Sequence, residues 1–187
     1  MADSRPLPSE PTPELIERAR NGDEKAFAIL VRPYRTRLFT FLLRELQHRE
    51  DAEDAMQDVL FHAWNGLPGY TEQGRFTAWL FTIAYRTVAS ERRAARRAKR
   101  LPPIALTETV APHPAPDQEL IADEVASMIQ VAIAGLPTRQ RHVVLLRQTT
   151  EMTFAEIATA TNQPLNTVLS QMRYALKKLR TAMREHG

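Results

Sequence analysis

HREDAEDAMQDVLFHAW at residues 48–64 and RFTAWLFTIAYRTVASERRAARRAKR at residues 75–100 decide how this chain folds. Small apolar residues recur every three or four positions in the first run, which predicts a helix with a narrow buried side. The second run has the same spacing from Phe76 to Val88, and arginines continue beyond it. We therefore expect two packed helices, of which the second extends past its own core.

Charge is strongly segregated along these two helices. Residues 50–58 hold five acids and no base, whereas residues 75–100 hold eight Arg or Lys and one Glu. The net charge of the whole 187-residue chain is only +3. The sign of the local charge therefore indicates the binding partners better than the total charge does.

Several function classes are excluded by composition. The chain has no cysteine, which rules out disulfides and thiolate metal sites and fits a reducing compartment. It has no apolar signal segment, no membrane-length apolar run, and no catalytic or phosphate-loop motif. We expect a cytoplasmic protein that is not an enzyme, is not inserted in a membrane, and needs no metal or cofactor.

The remaining patterns predict an all-α protein of two lobes. Residues 1–12 should be a flexible tail. Helices are predicted at 13–20, 24–47, 49–65, 75–100, 117–134, 138–150, 154–161 and 165–184. Pro33 should kink or break the second of these near Arg32. Five prolines between residues 102 and 116 predict a stiff linker, and Thr153 with Glu156 predicts a capping box.

The acidic residues of the 49–65 helix form a candidate binding face. Asp51, Asp54 and Asp58 share one side, and Glu53, Gln57 and Trp64 lie on another. A metal site would need ligands converging from other segments, and the sequence offers none. An acidic face with an exposed aromatic better suits a basic protein partner.

The arginines of the 75–100 helix form a second candidate face. One side carries Arg75, Thr82, Arg86, Ser90, Arg93 and Arg97, flanked by Arg92, Arg96 and Arg100. Such a run can be a solvated surface, but here almost no acids relieve the repulsion, so phosphates would stabilise it. Phe76 and Trp79 at its start, and Tyr70 in the preceding flexible loop, could stack unpaired bases. A core position is the alternative for Trp79.

The last two helices have a helix-turn-helix pattern, with Asn162-Gln163-Pro164 as the turn. The predicted core side of the last helix is Leu165, Val168, Met172, Ala175, Leu176 and Leu179. The opposite side carries Asn166, Leu169, Ser170, Arg173 and Lys177. Short polar and basic side chains near a helix start suit base edges and phosphates. A plain helical hairpin with a solvated face is the alternative.

Four runs in this order resemble the extracytoplasmic-function (group 4) sigma factors of the sigma-70 family. They are FAILVRPYRTRLFTFLL, EDAEDAMQDVLFHAW, FTAWLFTIA, and LPTRQRHVVLLR followed by TFAEIATATNQPLNTVLSQMRYALKKLR. The resemblance implies sigma region 2 at 13–100, a linker at 101–116 and sigma region 4 at 117–187. It also implies a promoter-specificity subunit that directs RNA polymerase without catalysing the reaction.

The resemblance assigns roles to particular residues. Core RNA polymerase would be bound through the clamp helices of its largest subunit by Asp51, Glu53, Asp54, Gln57 and Asp58, with further contact to the flap of its second-largest subunit. The −10 element would meet Tyr70, Arg75, Trp79, Arg86, Arg93 and Arg97. The −35 element would meet Asn166, Thr167, Leu169, Ser170, Arg173, Tyr174 and Lys177. The family also implies an anti-sigma factor.

The linker is long enough for this role. About 18 extended residues at about 3.1 Å each span at most about 55 Å. About sixteen base pairs at about 3.4 Å each cover a similar distance.

This chain departs from the family pattern at four positions. Arg86 replaces an asparagine that helps hold the flipped −10 base, which predicts an altered −10 preference. Leu169 and Gln171 replace basic residues and Asn166 replaces a glycine, so the −35 face is less charged. The missing basic residues leave open a sigma-like decoy that binds polymerase or an anti-sigma factor unproductively. An ordinary helix-turn-helix repressor is a further alternative.

Overall fold

The computed structural model describes residues 8–71, 73–98 and 122–185, without the side chains of 94–98, 122–127 and 185. Within these ranges the chain forms helices and no strand. The first lobe contains α1 (Pro13–Arg20), α2 (Glu24–Val31), α3 (Arg35–Leu46), α4 (Arg49–Gly66) and α5 (Phe76–Ala98). The second contains α6 (Ala122–Ala134), α7 (Thr138–Thr150), α8 (Phe154–Thr161) and α9 (Leu165–Glu185). The all-α, two-lobed prediction is confirmed.

Local sequence signals set the starts and breaks of the first helices. Asp23 caps α2 by accepting a 2.9 Å hydrogen bond from the Ala26 amide. That bond, together with the bonded Arg18 guanidinium, lowers the pKa of the Asp23 carboxyl. Pro33 cannot donate a helix hydrogen bond, and Arg32–Tyr34 is a 3₁₀ turn that separates α2 from α3. The predicted break near Arg32 is confirmed.

The core of the first lobe lies between α3, α4 and α5. Ala52, Ala55 and Ala63 are fully buried on α4, so neighbouring helices approach it closely. Phe41 of α3 meets Phe81 of α5 edge to face, with ring centroids 5.7 Å apart. The predicted buried sides of these helices are confirmed.

The start of the chain differs from the predicted loose tail. The Glu10 carboxylate accepts hydrogen bonds from the amides of Phe76 at 2.8 Å and Thr77 at 3.4 Å. The hydroxyl of Tyr34 donates to the Ser9 carbonyl at 3.5 Å. The first turn of α5 has unpaired amides that favour an anion, and Glu10 supplies one. Residues 1–7 of the predicted tail lie outside the described residues.

The second lobe follows its sequence signals closely. Thr153 and Glu156 form the predicted capping box, with the Glu156 amide 3.2 Å from the Thr153 hydroxyl and the Thr153 amide 2.7 Å from the Glu156 carboxylate. Asn162 ends α8 in the left-handed region, with φ 51°. Residues 117–121 of the predicted 117–134 helix, residues 99–100 and the predicted linker 101–116 lie outside the described residues.

Two of the predicted core residues of α9 are exposed instead. Val168 and Ala175 are fully buried, and Met172 and Leu179 pack against the core. Leu165 is 44% exposed and Leu176 45% exposed. Both lie at the edges of the predicted apolar side, which is wider than the surface that α6, α7 and α8 offer to α9.

The two lobes touch. Helices α3 and α5 of the first lobe contact α7 of the second, and α5 also contacts α8. None of the described helices is both long and apolar enough to cross a lipid bilayer.

Thr153→Ala should destabilise the second lobe by about 1 kcal/mol, because it removes the N-terminal cap of α8. Urea denaturation followed by circular dichroism measures this. The matched control is Thr159→Ala on the same helix, whose hydroxyl bonds only back to the Ala155 carbonyl. That control should be neutral or slightly stabilising. Equal effects of the two changes would contradict the capping argument.

Candidate protein and nucleic-acid interfaces

The acidic residues of α4 form an exposed face, as the spacing predicted. Asp51, Asp54 and Asp58 are all exposed. Glu53 and Gln57 are also exposed, and Glu53 forms a 2.8 Å ion pair with Arg49 one turn earlier. The helix presents these carboxylates because its alanines are buried on the opposite side.

The aromatic on this face is Phe61 and not Trp64. Trp64 is partly buried and meets Phe27 edge to face at 5.1 Å between ring centroids. Phe61 is 63% exposed and lies one turn beyond Asp58 on the same side of α4. Sequence reasoning missed Phe61, although its i+3 spacing from Asp58 would have placed it there.

A fourth acid from the neighbouring helix faces the cluster. Burial raises the pKa of the Glu91 carboxyl on α5, and the charges of Asp58, Asp51 and Asp54 raise it further. Repulsion of this kind could be relieved by a cation or a basic partner. Within the described ranges no three His, Asp or Glu side chains are arranged to hold a metal ion.

The aromatic residues at the start of α5 form a packed cluster. Tyr70 is only 6% exposed and lies with its ring centroid 4.9 Å from that of Trp79 and 5.8 Å from that of Phe76. Trp79 is partly buried and lies close to Gly66. The structure thus favours the core alternative for Trp79, and Tyr70 is also buried and does not face solvent as a flexible-loop residue would. A 3₁₀ turn at Leu67–Gly69 carries Tyr70 back onto the core.

The basic face of α5 is present along its described length. Arg75, Arg86 and Arg93 are exposed, and the Arg97 side chain lies outside the described residues. Arg75 forms a 3.1 Å ion pair with Glu156 of α8. Arg92, expected on the flank of this face, turns instead toward Glu45 of α3.

The predicted outer face of α9 is also exposed. Its exposed members are Asn166, Leu169, Arg173, Tyr174 and Lys177, whereas Thr167 and Ser170 are partly buried. The Ser170 hydroxyl donates to the Asn166 carbonyl at 2.8 Å. Gln171 lies aside from this face and donates to the Gln163 side chain at 2.8 Å, which ties α9 to the preceding turn.

Comparisons with known proteins match both lobes. The family model "Sigma-70 region 2" matches residues 30–98, and "Sigma-70, region 4" matches residues 132–181. The RNA polymerase sigma factor YlaC of Bacillus subtilis is 30% identical over 162 residues, covering 83% of this chain and 92% of the relative. The RNA polymerase sigma-H factor of Pseudomonas aeruginosa is 26% identical over 187 residues, covering 95% and 96%.

Solved structures agree at the level of the fold. The sigma factor RpoE of Bartonella quintana, in complex with the anti-sigma factor NepR, is 25% identical with a TM-score of 0.67, covering 87% of this chain and 97% of that one. CnrH, in complex with the cytosolic domain of CnrY, is 20% identical with a TM-score of 0.64, covering 93% and 97%.

A helical lobe with opposed acidic and basic faces, followed by a helix-turn-helix lobe, defines a two-lobed transcription initiation factor. The chain belongs to the sigma-70 family, and its relatives are extracytoplasmic-function sigma factors. Sigma factors bind core RNA polymerase and direct it to promoters, and they are not enzymes. The predicted family, function and absence of enzymatic activity are confirmed.

Glu91→Gln should raise the unfolding temperature at pH 7. Because the folded chain raises the pKa of Glu91, it binds that proton more tightly than the unfolded chain, so ionised Glu91 is destabilising. The gain should shrink as the pH falls and vanish near the ordinary pKa of 4.5. Thermal denaturation across this pH range checks it, with Glu24→Gln on α2 as the control. A gain that persists at low pH would count against the repulsion.

Proposed function

We propose that three exposed faces act in promoter recognition, those of α4 and α5 on the first lobe and that of α9 on the second. Region 2 (13–100) binds core polymerase through α4 and the −10 element through α5. Region 4 (117–187) binds the −35 element through α9, with 101–116 as the linker. The observation that carries this is the segregation of charge on one helix pair, with acids outward on α4 and arginines outward on α5.

The acidic face of α4 is the polymerase contact in this proposal. Asp51, Glu53, Asp54, Gln57 and Asp58 are exposed. The charges of Asp58, Asp51 and Asp54 still repel Glu91 in the isolated chain. A basic partner would relieve that repulsion and speed association. The exposed ring of Phe61 adds an apolar anchor beside the charges.

The arginines of α5 contact the −10 element in this proposal. Arg75, Arg86 and Arg93 are exposed and can meet phosphates. In the sequence, Arg97 follows Arg93 at a helical spacing of four residues. We assign Tyr70 and Trp79 a positioning role, because their rings pack on each other and on Phe76. They hold the loop that precedes Arg75.

Helix α9 contacts the −35 element in this proposal. The start of the helix presents Asn166, Thr167, Leu169, Ser170, Arg173, Tyr174 and Lys177. Leu169 is 38% exposed and suits an apolar contact with a thymine methyl group. Arg173 and Lys177 supply phosphate contacts, so affinity for this element rests on few charges.

We further propose a cytoplasmic location and an anti-sigma partner. RpoE of Bartonella quintana, which shares this fold, is bound by an anti-sigma factor. The absence of cysteine fits a reducing compartment. Coprecipitation of the chain from its own cells, with and without added core polymerase, would identify such a partner.

Changing Asp51, Asp54 and Asp58 together to Asn should slow association with core polymerase by about tenfold at low salt, with less effect at high salt. Surface plasmon resonance measures both rates. The triple variant should be more stable than the parent, because repulsion of Glu91 is relieved, so lost binding cannot be ascribed to unfolding. Glu14→Gln with Glu24→Gln is the control, and equal association rates would refute the assignment.

Arg86→Asn should change the promoter preference at the −10 element and lower the slope of log affinity against log salt by about one. Run-off transcription with core polymerase on a library of −10 sequences reads the preference directly. An unchanged preference would remove Arg86 from base recognition. If the parent chain yields no promoter-specific transcript at all, the unproductive decoy becomes the better account.

A further inference from the structure

Glu45 on α3 is a fully buried carboxylate. A charge out of water is tolerated only when opposite charges surround it. Three cationic or protonatable side chains do so here. Arg92 of the same lobe lies 3.4 Å from one carboxylate oxygen, and its guanidinium also bonds the Glu45 carbonyl. Arg141 and His142 come from α7 of the other lobe.

The contacts to the second lobe are close. His142 Nδ1 lies 2.7 Å from Glu45 Oε1, and Arg141 Nε lies 3.8 Å from Glu45 Oε2. The His142 ring also meets Tyr85 of α5 edge to face at 5.1 Å. Burial raises the pKa of the Tyr85 hydroxyl, and the Glu45 charge raises it further. Glu45 therefore sits at the junction of α3, α5 and α7.

Further polar contacts join the lobes. Arg37 donates to the Thr149 carbonyl at 3.3 Å, and Gln47 donates to the Ala134 carbonyl at 3.4 Å. Arg75, from the proposed −10 face, is paired with Glu156 at 3.1 Å. The closed arrangement thus occupies one of the arginines that DNA would use.

Two buried polar atoms at the junction are not hydrogen-bonded to any residue that the structure describes. Glu45 Oε2 and Arg141 Nε are buried and lack a hydrogen-bond partner within the described residues, although they attract each other as charges. Unmet buried polar atoms are costly, so part of the attraction is offset. A contact of this kind can hold two lobes together and still release them.

Promoter binding requires that release. The two promoter elements lie about sixteen base pairs apart, about 55 Å at 3.4 Å per pair. In the closed arrangement α5, which carries the −10 face, touches α8, the helix just before α9. Both faces cannot meet their elements while the lobes touch in this way.

We propose that Glu45 is the centre of an interlobe latch that keeps the free protein closed and must open before both promoter elements are bound. Arg141 and His142 hold the latch from region 4, and Arg92 holds it from region 2. Arg75 with Glu156 is a second contact that opens with it. The requirement for opening rests on the proposed assignment of the −10 and −35 faces, whereas the latch itself does not.

Glu45→Gln should open the lobes in the absence of DNA. It keeps the shape of the side chain but removes the negative charge that attracts Arg92 of one lobe and Arg141 of the other. The parent has no cysteine, so Lys25→Cys and Gln148→Cys, both exposed, take one dye on each lobe. Single-molecule energy transfer should show the ratio of closed to open molecules falling at least tenfold.

Two further variants test whether the effect of Glu45→Gln is specific to the latch and is not due to unfolding. Glu14→Gln removes an exposed carboxylate from α1 and should leave the ratio unchanged. Arg141→Gln weakens the same latch from the region 4 side and should shift the ratio in the direction of Glu45→Gln. Helical circular dichroism should be unaltered in all three.

A covalent lock tests the functional consequence. His48→Cys and Gly135→Cys lie one residue beyond the Gln47–Ala134 contact, and a side chain at Gly135 meets only ordinary contacts at 3.6 Å. A short cleavable bis-maleimide joining them should abolish promoter-complex formation with core polymerase, and cleavage should restore it. Without the lock, Glu45→Gln should form that complex several-fold faster than the parent.

The outcomes separate the latch from the proposed interfaces. An energy-transfer distribution for Glu45→Gln that matches the parent would overturn the latch. So would a locked protein that forms promoter complexes at the parental rate. If the lobes open as expected but no variant, locked or unlocked, forms a promoter complex, the latch stands and the interface assignments fail.

Discussion

The close packing of α4 against α3 and α5 is the constraint on which the rest of region 2 depends. Ala52, Ala55 and Ala63 are fully buried, so the helix axes can approach without large side chains between them. The same burial fixes the rotation of α4, and its acids must then face outward. Because α5 is anchored by Phe76 and Phe81, Arg75, Arg86 and Arg93 face outward too. One packing arrangement thereby orients two surfaces of opposite charge.

Charge plays two different parts in this chain. On the outer faces of α4 and α5, like charges gather without full compensation, and a partner of opposite sign completes them. At the junction of the lobes, Glu45 and its partners compensate each other within the molecule. Arg92 lies in the arginine run of α5, but in the structure it pairs with Glu45 at the junction of the lobes. Its neighbour Arg93 remains exposed, so a single helical step separates the two roles.

The helices and their caps were predictable because their causes are local. Pro33 and the Thr153–Glu156 pair act within one turn of the chain, and the break and the capping box appear where expected. Most of the outer faces of α4, α5 and α9 followed from helical spacing. Trp64, Tyr70, Leu165 and Leu176 were misplaced, because their burial depends on how much surface the neighbouring helices offer. Glu45 was missed altogether, since its partners lie about a hundred residues away in sequence.

The lobe junction combines polar contacts with a hydrophobic cluster that contains residues of both lobes. Apolar contacts are non-directional and stabilise the closed state in proportion to the area they bury. A buried charge cluster depends instead on every member being present, so removing or diverting one cation weakens the whole. DNA phosphates would compete for arginines, and Arg75 of the proposed −10 face is paired with Glu156. On that assignment, nucleic acid would weaken the closed state through a residue that the proposal gives to recognition.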